Sequence, residues 1–338
     1  MSDKGSSLNP VDRLDHIRAR FSLIQRLRDV LCKKGYLQVD TNCLIPEASP
    51  DPFITPFSAE AKVRGMKNPR TFYLRTSPEF ELKCLLARGF EAIFEIARVF
   101  RQGDLGNLHN PEFCMAEWYR TGWSHLELMD ELVEILNEVL EPGSRSGFLL
   151  PNEIPMISVD DLFVECTSIA VCEYQEDEQL WEQARSKDLV EKDSPREFTE
   201  VFSWLWAEHL EKHLCQMEAI FVVDWPGKLA ELAQIKKSDP RIANKFELMV
   251  RGVELANGYS ELTSPDEYRK RFEANLEHRK KAGLPILPLP EHFIYGIKEG
   301  LPPSAGVSLG VDRLAMLASG SETVHNQLNW SWRNLDPK

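Results

Sequence analysis

Two strand-like segments, AIFEIARVFR (Ala92 to Arg101) and the middle of HNPEFCMAEWYRTG (His109 to Gly122), are separated only by the polar loop QGDLGNLHNP. A connection this short joins antiparallel strands, because parallel neighbours need a long crossover. A second pair, KFELMV and VELANGY, flanks Arg251-Gly252 in the same way. GVSLGVDRLAMLASG reads as a strand running into a helix. Hairpins with helices between groups of them indicate the α+β class: an antiparallel β-sheet flanked by helices.

Within the first hairpin one residue is out of place. Strand side chains alternate between two faces. One face of the second strand would carry Phe113, Met115, Glu117 and Tyr119, and the other Cys114, Ala116, Trp118 and Arg120. A carboxylate between a Met and a Tyr suits a solvent-facing strand or a structural ion pair. It equally suits a ligand face, with an aromatic plate at Phe113 and an acid with a phenol roughly 13 Å away. Such a face fits an elongated ligand with a flat ring at one end and a cation at the other.

The second hairpin adds acids. If Arg251 and Gly252 form a two-residue turn, Glu254 lies across from Met249, and Glu247 is on the same face one diagonal step away. Two carboxylates so placed could share Mg²⁺, the usual partner of a triphosphate; the alternative is a solvated face with two independent acids. Asn257-Gly258 breaks the alternation, and a bulge there would turn Glu261 toward the same site. Arg101 ends the first strand and Arg313 opens the apolar helix after Gly310; each is a surface cation or a phosphate ligand. Glu79 sits in a helical first turn, where it complements the dipole or holds an amine.

The remaining elements are simpler. Leu14, Ile17, Phe21, Ile24, Leu27 and Leu31 recur at helical spacing up to Gly35. SPEFELKCLLARG is a helix capped by Ser77, with Pro78 at its first position and Gly89 stopping it. SHLELMDELVEILNEVL is an amphipathic helix, EPGSRSG a loop, residues up to 215 a mixed, acid-rich helical stretch, and SPDEYRKRFEANLEHRKKAG a charged, mostly solvated helix. Of the 338 residues 43% are hydrophobic, enough for a sizeable core, and the net charge of −13 argues against a broad nucleic-acid surface and favours a basic partner. Seven scattered cysteines without a CxxC pair read as free thiols of a reducing, cytoplasmic setting. The polar start lacks a signal core, and no apolar run is long enough for a membrane span.

FRQGDLGNLHNPEFCMAEWY and GVSLGVDRLAML resemble the second and third motifs of class II aminoacyl-tRNA synthetases of the lysyl type. The first helix through Pro46 resembles the first, dimer-forming motif, and VELANGYSEL and TSPEFELK resemble the segments framing ATP and lysine. The resemblance covers most of the chain and leans toward a stand-alone branch of that family that works on translation elongation factor P. It implies ATP as a substrate, with Arg101 and Arg313 at its phosphates as the catalytic cations. Phe113 would stack on adenine, and Gln102, Gly103, His109, Asn110, Leu255 and Gly310 would complete the ATP site. Glu247 and Glu254 would hold Mg²⁺. Ser77, Pro78 and Glu79 would meet the amino-acid end of the substrate, and Glu117, Tyr119 and Glu261 its distal ammonium, with Ser308 beside them.

Gly103 stands where lysyl-tRNA synthetases carry Glu, with Asp104 as the substitute expected, and Leu108 where they carry Arg. Ser308 replaces their Gly. The tail HNQLNWSWRNLDPK matches no known pattern. The resemblance implies one catalytic domain spanning 1–338, without an anticodon-binding module, acting as a homodimer. The reaction implied is activation of lysine or (R)-β-lysine as an adenylate and its transfer to a lysine of elongation factor P, with tRNA an unlikely acceptor. The other readings are a minimal lysyl-tRNA synthetase, another small amino-acid ligase on this fold, and a non-catalytic regulatory paralogue.

Overall fold

The computed structural model describes residues 10–140, 148–174 and 176–335; the loop expected at 141–147 lies outside them. The strands are β1 (Leu37–Gln38), β2 (Leu44–Ile45), β3 (Ser58–Ala61), β4 (Arg70–Leu74), β5 (Ala92–Phe100), β6 (Glu112–Thr121), β7 (Met156–Ser158), β8 (Ile220–Pro226), β9 (Ile242–Val250), β10 (Val253–Ser260) and β11 (Ser304–Gly310). The helices are α1 (Pro10–Lys33), α2 (Glu79–Ala87), α3 (His125–Leu140), α4 (Val159–Thr167), α5 (Asp177–Ser186), α6 (Phe198–Leu205), α7 (Glu211–Leu214), α8 (Pro265–Lys281), α9 (Glu291–Gly296) and α10 (Val311–Ala318). Eight strands form one sheet in the order β1-β5-β6-β11-β10-β9-β8-β7, and β2-β4-β3 form a smaller one. The large sheet is antiparallel except at its two ends, where β1 joins β5 and β7 joins β8 in parallel.

Both expected hairpins are present. In the second, Val250 pairs with Val253 and Glu254 with Met249. Arg251 and Gly252 have φ of 50° and 77°. Positive φ at both central residues is the type I′ geometry that matches strand twist. The bulge lies earlier than Asn257-Gly258: the register slips between Glu254 and Ala256. Leu255 is the extra residue, and its side chain is buried in the core. The displaced register pairs Asn257 with Glu247, so Glu254, Asn257, Tyr259 and Glu261 share one face.

The sheet's faces differ in chemistry. Cys114, Ala116 and Trp118 point into the main core with Phe246, Leu248, Val307 and Leu309, where α1, α3 and α10 cover them. The opposite face carries Glu117 and Tyr119 and is covered in part by α2, α8 and α9 through Leu82, Tyr268, Phe272 and Phe293. The stretch from 156 to 215 builds its own apolar cluster, in which Phe163, Trp181, Phe202 and Leu205 pack on Ile220 and Val222 of β8.

Three local expectations are corrected. Helix α2 begins at Glu79, so Pro78 is its N-cap, not its first residue, although Ser77 Oγ still accepts the Glu79 N–H at 3.0 Å. Leu14 and Phe21 of α1 are 55% and 57% exposed; the buried stripe runs instead through Arg20, Leu23, Leu27 and Leu31. Helix α8 is charged but not merely solvated, since Tyr268 and Phe272 are core residues and the buried Arg279 donates to the Asp51 and Ile54 carbonyls. Among the described residues no helix is long and apolar enough to cross a membrane, and none of the seven cysteines forms a disulfide.

Arg20 explains how α1 is fixed. Its Nε lies 2.6 Å from Asp312 Oδ1, and Asp312 Oδ2 accepts the Cys114 N–H at 2.8 Å. This buried link joins α1, α10 and β6. Removing one partner of a buried ion pair costs about 3–5 kcal/mol. Arg20→Met is therefore expected to lower unfolding free energy by about that amount in urea denaturation. A loss near zero would mean that the apolar stripe alone holds α1.

Candidate active site

Below the polar face of the sheet lies a cavity of about 350 Å³, lined from one end by Asp104, His109 and Phe113 and from the other by Ser77, Glu79 and Glu117. Arg101, Glu247, Glu254, Leu255, Ser308, Gly310 and Arg313 also line it, so the structure gathers most of the expected site. Gln102, Gly103, Pro78 and Glu261 do not line it. Gln102 is an exposed loop residue whose N–H donates to Thr55 O at 2.8 Å.

The end nearest α2 is built from buried charges. Glu117, 2% exposed, accepts hydrogen bonds from Ser77 Oγ (2.6 Å) and the Tyr119 hydroxyl (2.8 Å). Both donors are neutral. Burial and the nearby Glu79 carboxylate push Glu117 up to about 7 against these bonds. Glu261 stands behind the lining and is 2.6 Å from Lys83 Nζ, which also reaches Glu79 Oε1 at 2.5 Å. The Tyr259 hydroxyl donates to that same Glu79 oxygen. Glu261, expected to meet a distal ammonium, thus lies beside a buried lysine of the protein.

Lys83 and Gly306 were not singled out in the sequence. Lys83 was findable, since it follows Glu79 at the i, i+4 spacing of helical ion pairs. Gly306 was signalled by being a glycine inside a strand. A Cβ on Gly306 would stand 2.2 Å from the Tyr119 ring and 2.4 Å from Glu261 Oε1.

In the middle of the cavity sit the two acids of the second hairpin. Burial pushes Glu247 up to about 8, against the pull of Lys245 at 3.3 Å. Against the effect of burial, Arg313 and Lys245 hold Glu254 below the usual carboxylate range. Asn257 Nδ2 donates to Glu247 Oε1 at 3.4 Å, while its buried Oδ1 has no hydrogen-bond partner. Two carboxylates and an orphan carbonyl oxygen are hard donors of the kind Mg²⁺ takes, with phosphate and water completing its shell. Among the described residues no group of three or more His, Cys, Asp and Glu is placed to hold a metal ion by itself.

At the far end, Arg313 Nη1 donates to Glu254 O (2.6 Å) and lies 3.3 Å from its Oε2, while Nη2 is 2.7 Å from His109 Nε2. Burial and Arg313 together lower the His109 pKa. The Arg101 guanidinium lies over the Phe113 ring at 5.2 Å. Asn110 is buried, and both ends of its amide are engaged: Nδ2 donates to Glu112 O (2.6 Å) and Oδ1 accepts the Trp332 N–H (3.2 Å). It braces the loop and also lines the cavity. The unread tail does the same work. Val324 N–H donates to Asn107 O (2.9 Å), His325 Nε2 is 2.8 Å from Gly106 O, and Arg333 donates to Asn107 Oδ1 (2.7 Å).

An antiparallel sheet with this polar face, its paired arginines and its acid pair defines the class II synthetase type of catalytic domain. The chain belongs to that family: residues 10–331 match the model of class II tRNA synthetases (D, K and N). Among its relatives, the elongation factor P–(R)-β-lysine ligase of Edwardsiella ictaluri is 36% identical over 98% of this chain and 99% of that protein. The protein of the same name from Pectobacterium carotovorum is 35% identical over 96% of this chain and 98% of its own length. That from Vibrio vulnificus is 35% identical over 92% and 94%.

Gly306→Ala is expected to raise the KM for the amino acid roughly a hundredfold, because an ångström-scale shift of Tyr119 spoils alignment. ATP affinity, measured separately by calorimetry, should be unchanged. An unaltered amino-acid KM would place the substrate elsewhere.

Proposed function

We propose that this chain is an ATP-dependent, AMP-forming ligase that activates (R)-β-lysine or lysine and transfers it to a lysine ε-amine of elongation factor P. The observation that carries this reading is Glu117: a buried carboxylate held only by hydroxyls among the described residues, at the end of a cavity whose other end bears arginines. Such a carboxylate lacks a cationic partner at hydrogen-bond distance, and a distal ammonium supplies one.

In this reading Arg101 binds the substrate carboxylate and the α-phosphate, and Arg313 the terminal phosphates. The substrate carboxylate attacks the α-phosphate, pyrophosphate leaves, and the two guanidiniums stabilise charge on the phosphoryl oxygens. Mg²⁺, held by Glu247 and Glu254, would supply further charge neutralisation when bound. Phe113 offers its ring to adenine. No protein nucleophile is needed, since the acceptor amine attacks the acyl carbonyl of the adenylate and AMP leaves. The family membership and the names of the relatives support this assignment, with the catalytic unit spanning the chain.

The exposed Leu14 and Phe21 on α1, with Leu37 and Leu44, supply an apolar surface for a homodimer formed through the N-terminal segment. A protein of the translation machinery as acceptor places the enzyme in the cytoplasm. The net charge of −13 favours a basic acceptor loop over an RNA backbone.

Two measurements test the reading. Glu117→Gln should cost about 3–5 kcal/mol in kcat/KM for the amino acid, with ATP binding intact. In the unmutated enzyme, Glu117 pushed up to about 7 is protonated at lower pH. Amino-acid affinity should therefore fall as pH drops through that value; a flat profile between pH 6 and about 8 removes Glu117 as counter-ion. Separately, enzyme, ATP and labelled (R)-β-lysine are incubated with elongation factor P or with tRNA-Lys. Label on the protein factor and little on tRNA is expected; the reverse result would make this a minimal lysyl-tRNA synthetase.

A further inference from the structure

Lys83 is fully buried, contacts no surface and is not among the residues that line the cavity. Yet it sits between two carboxylates of the amino-acid end, 2.5 Å from Glu79 and 2.6 Å from Glu261. The rings of Tyr259 and Tyr268 stand 5.2 and 5.4 Å from its ammonium. Burial opposes its charge, but Glu261 and Glu79 outweigh burial and hold the ammonium well above the usual lysine range. A methionine would fill the same space without the cost of desolvating a charge. The lysine must therefore be answering the charge of its neighbours.

The groups facing one another here are Glu79 and Lys83 from α2, Glu117 and Tyr119 from β6, Tyr259 from β10, Glu261 just after it and Tyr268 from α8. They hold three carboxylates and one ammonium. Glu261 Oε1 is buried without a hydrogen-bond partner, and Glu117 is bonded to hydroxyls alone. Two negative charges are thus left over. A substrate with one ammonium would leave one of them unanswered in a low-dielectric site, and a neutral one would leave both. A substrate with two ammonium groups, its carboxylate on Arg101, closes the count.

We propose that Lys83 is the pocket's built-in counter-ion: by neutralising one of three buried carboxylates it leaves two charges and so matches the site to amino acids bearing two ammonium groups. It is a positioning residue that never touches substrate. The count sets the number of ammonium groups and not their spacing along the chain, so α- and β-isomers satisfy it alike. This inference rests on the proposed lysine-type reading of the cavity.

Without Lys83 two charges remain only while one of the three acids holds a proton, so a titratable group must do what the buried ammonium does. The test is Lys83→Met in the full chain. Two quantities are read: the pH profile of the amino-acid KM, and kcat in pyrophosphate exchange. Expected are a KM raised roughly tenfold or more at pH 7, a smaller change in kcat, and a KM that rises further as pH increases and the neutralising proton is lost, opposite to the unmutated enzyme. The double variant Lys83→Met/Glu261→Gln should bind the diammonium acid more tightly than Lys83→Met alone, because it restores the count. If the Met variant fails to fold, Lys83→Gln keeps donors for both carboxylates and is read in the same way. A KM that falls with rising pH as it does in the unmutated enzyme, or a double variant weaker than the single, overturns the proposal. Failure of the unmutated enzyme to activate any diammonium acid would instead overturn the reading of the activity.

Discussion

Charge neutrality inside a poorly solvated cavity governs this site. Five carboxylates, Glu79, Glu117, Glu247, Glu254 and Glu261, converge on one face of the sheet together with Lys83, Lys245, Arg101 and Arg313. Burial drives Glu117, Glu247 and Glu261 up toward or beyond neutrality, so each ionises fully only when a cation answers it. The cations of the protein are divided unevenly. Arg313 and Lys245 serve the hairpin acids, and Lys83 serves two acids at the other end. In the proposed reading, the two charges left over at the α2 end are answered by two ammonium groups of the substrate.

The sheet can hold such a face because its other face carries the burden of stability. Trp118, Phe246, Val307 and Leu309 are all but inaccessible and are sealed by α1, α3 and α10. One extra residue, Leu255, lets β10 serve both sides: before it Glu254 faces the cavity, after it Asn257, Tyr259 and Glu261 do, and Leu255 itself goes to the core. Without that slip, Tyr259 and Glu261 would face the apolar side, where burying an acid has no compensation.

Period-two alternation was legible in the sequence, and it placed the hairpins, their register near Arg251-Gly252 and the position of Glu117 correctly. The bulge was anticipated, but at Asn257-Gly258, because a glycine is the visible breaker of a strand pattern; at Leu255 the extra residue is apolar and leaves no such mark. The exposure of Leu14 and Phe21 was hidden because helical spacing identifies a stripe without saying which flank is covered. Lys83 escaped notice since a lysine four residues after a glutamate on a helix is ordinarily a solvated pair, and only the tertiary fold buries it. The tail was illegible for a related reason: Val324, His325 and Arg333 bond mainly to backbone atoms and to a single side-chain oxygen, and such contacts impose little residue pattern.

That tail has a temporal consequence. His325 meets Gly106, 219 positions away along the chain, and Trp332 meets Asn110, 222 positions away. Contacts so distant along the chain form late, after the loop entropy between them has been overcome. The hairpin loop is made early by the ribosome but is braced only by residues made long afterwards. A chain ending after Arg313 would already carry both arginines and both hairpin acids, and still lack the strut that braces the loop. The brace on this loop is thus completed only in a chain that carries its last described residues.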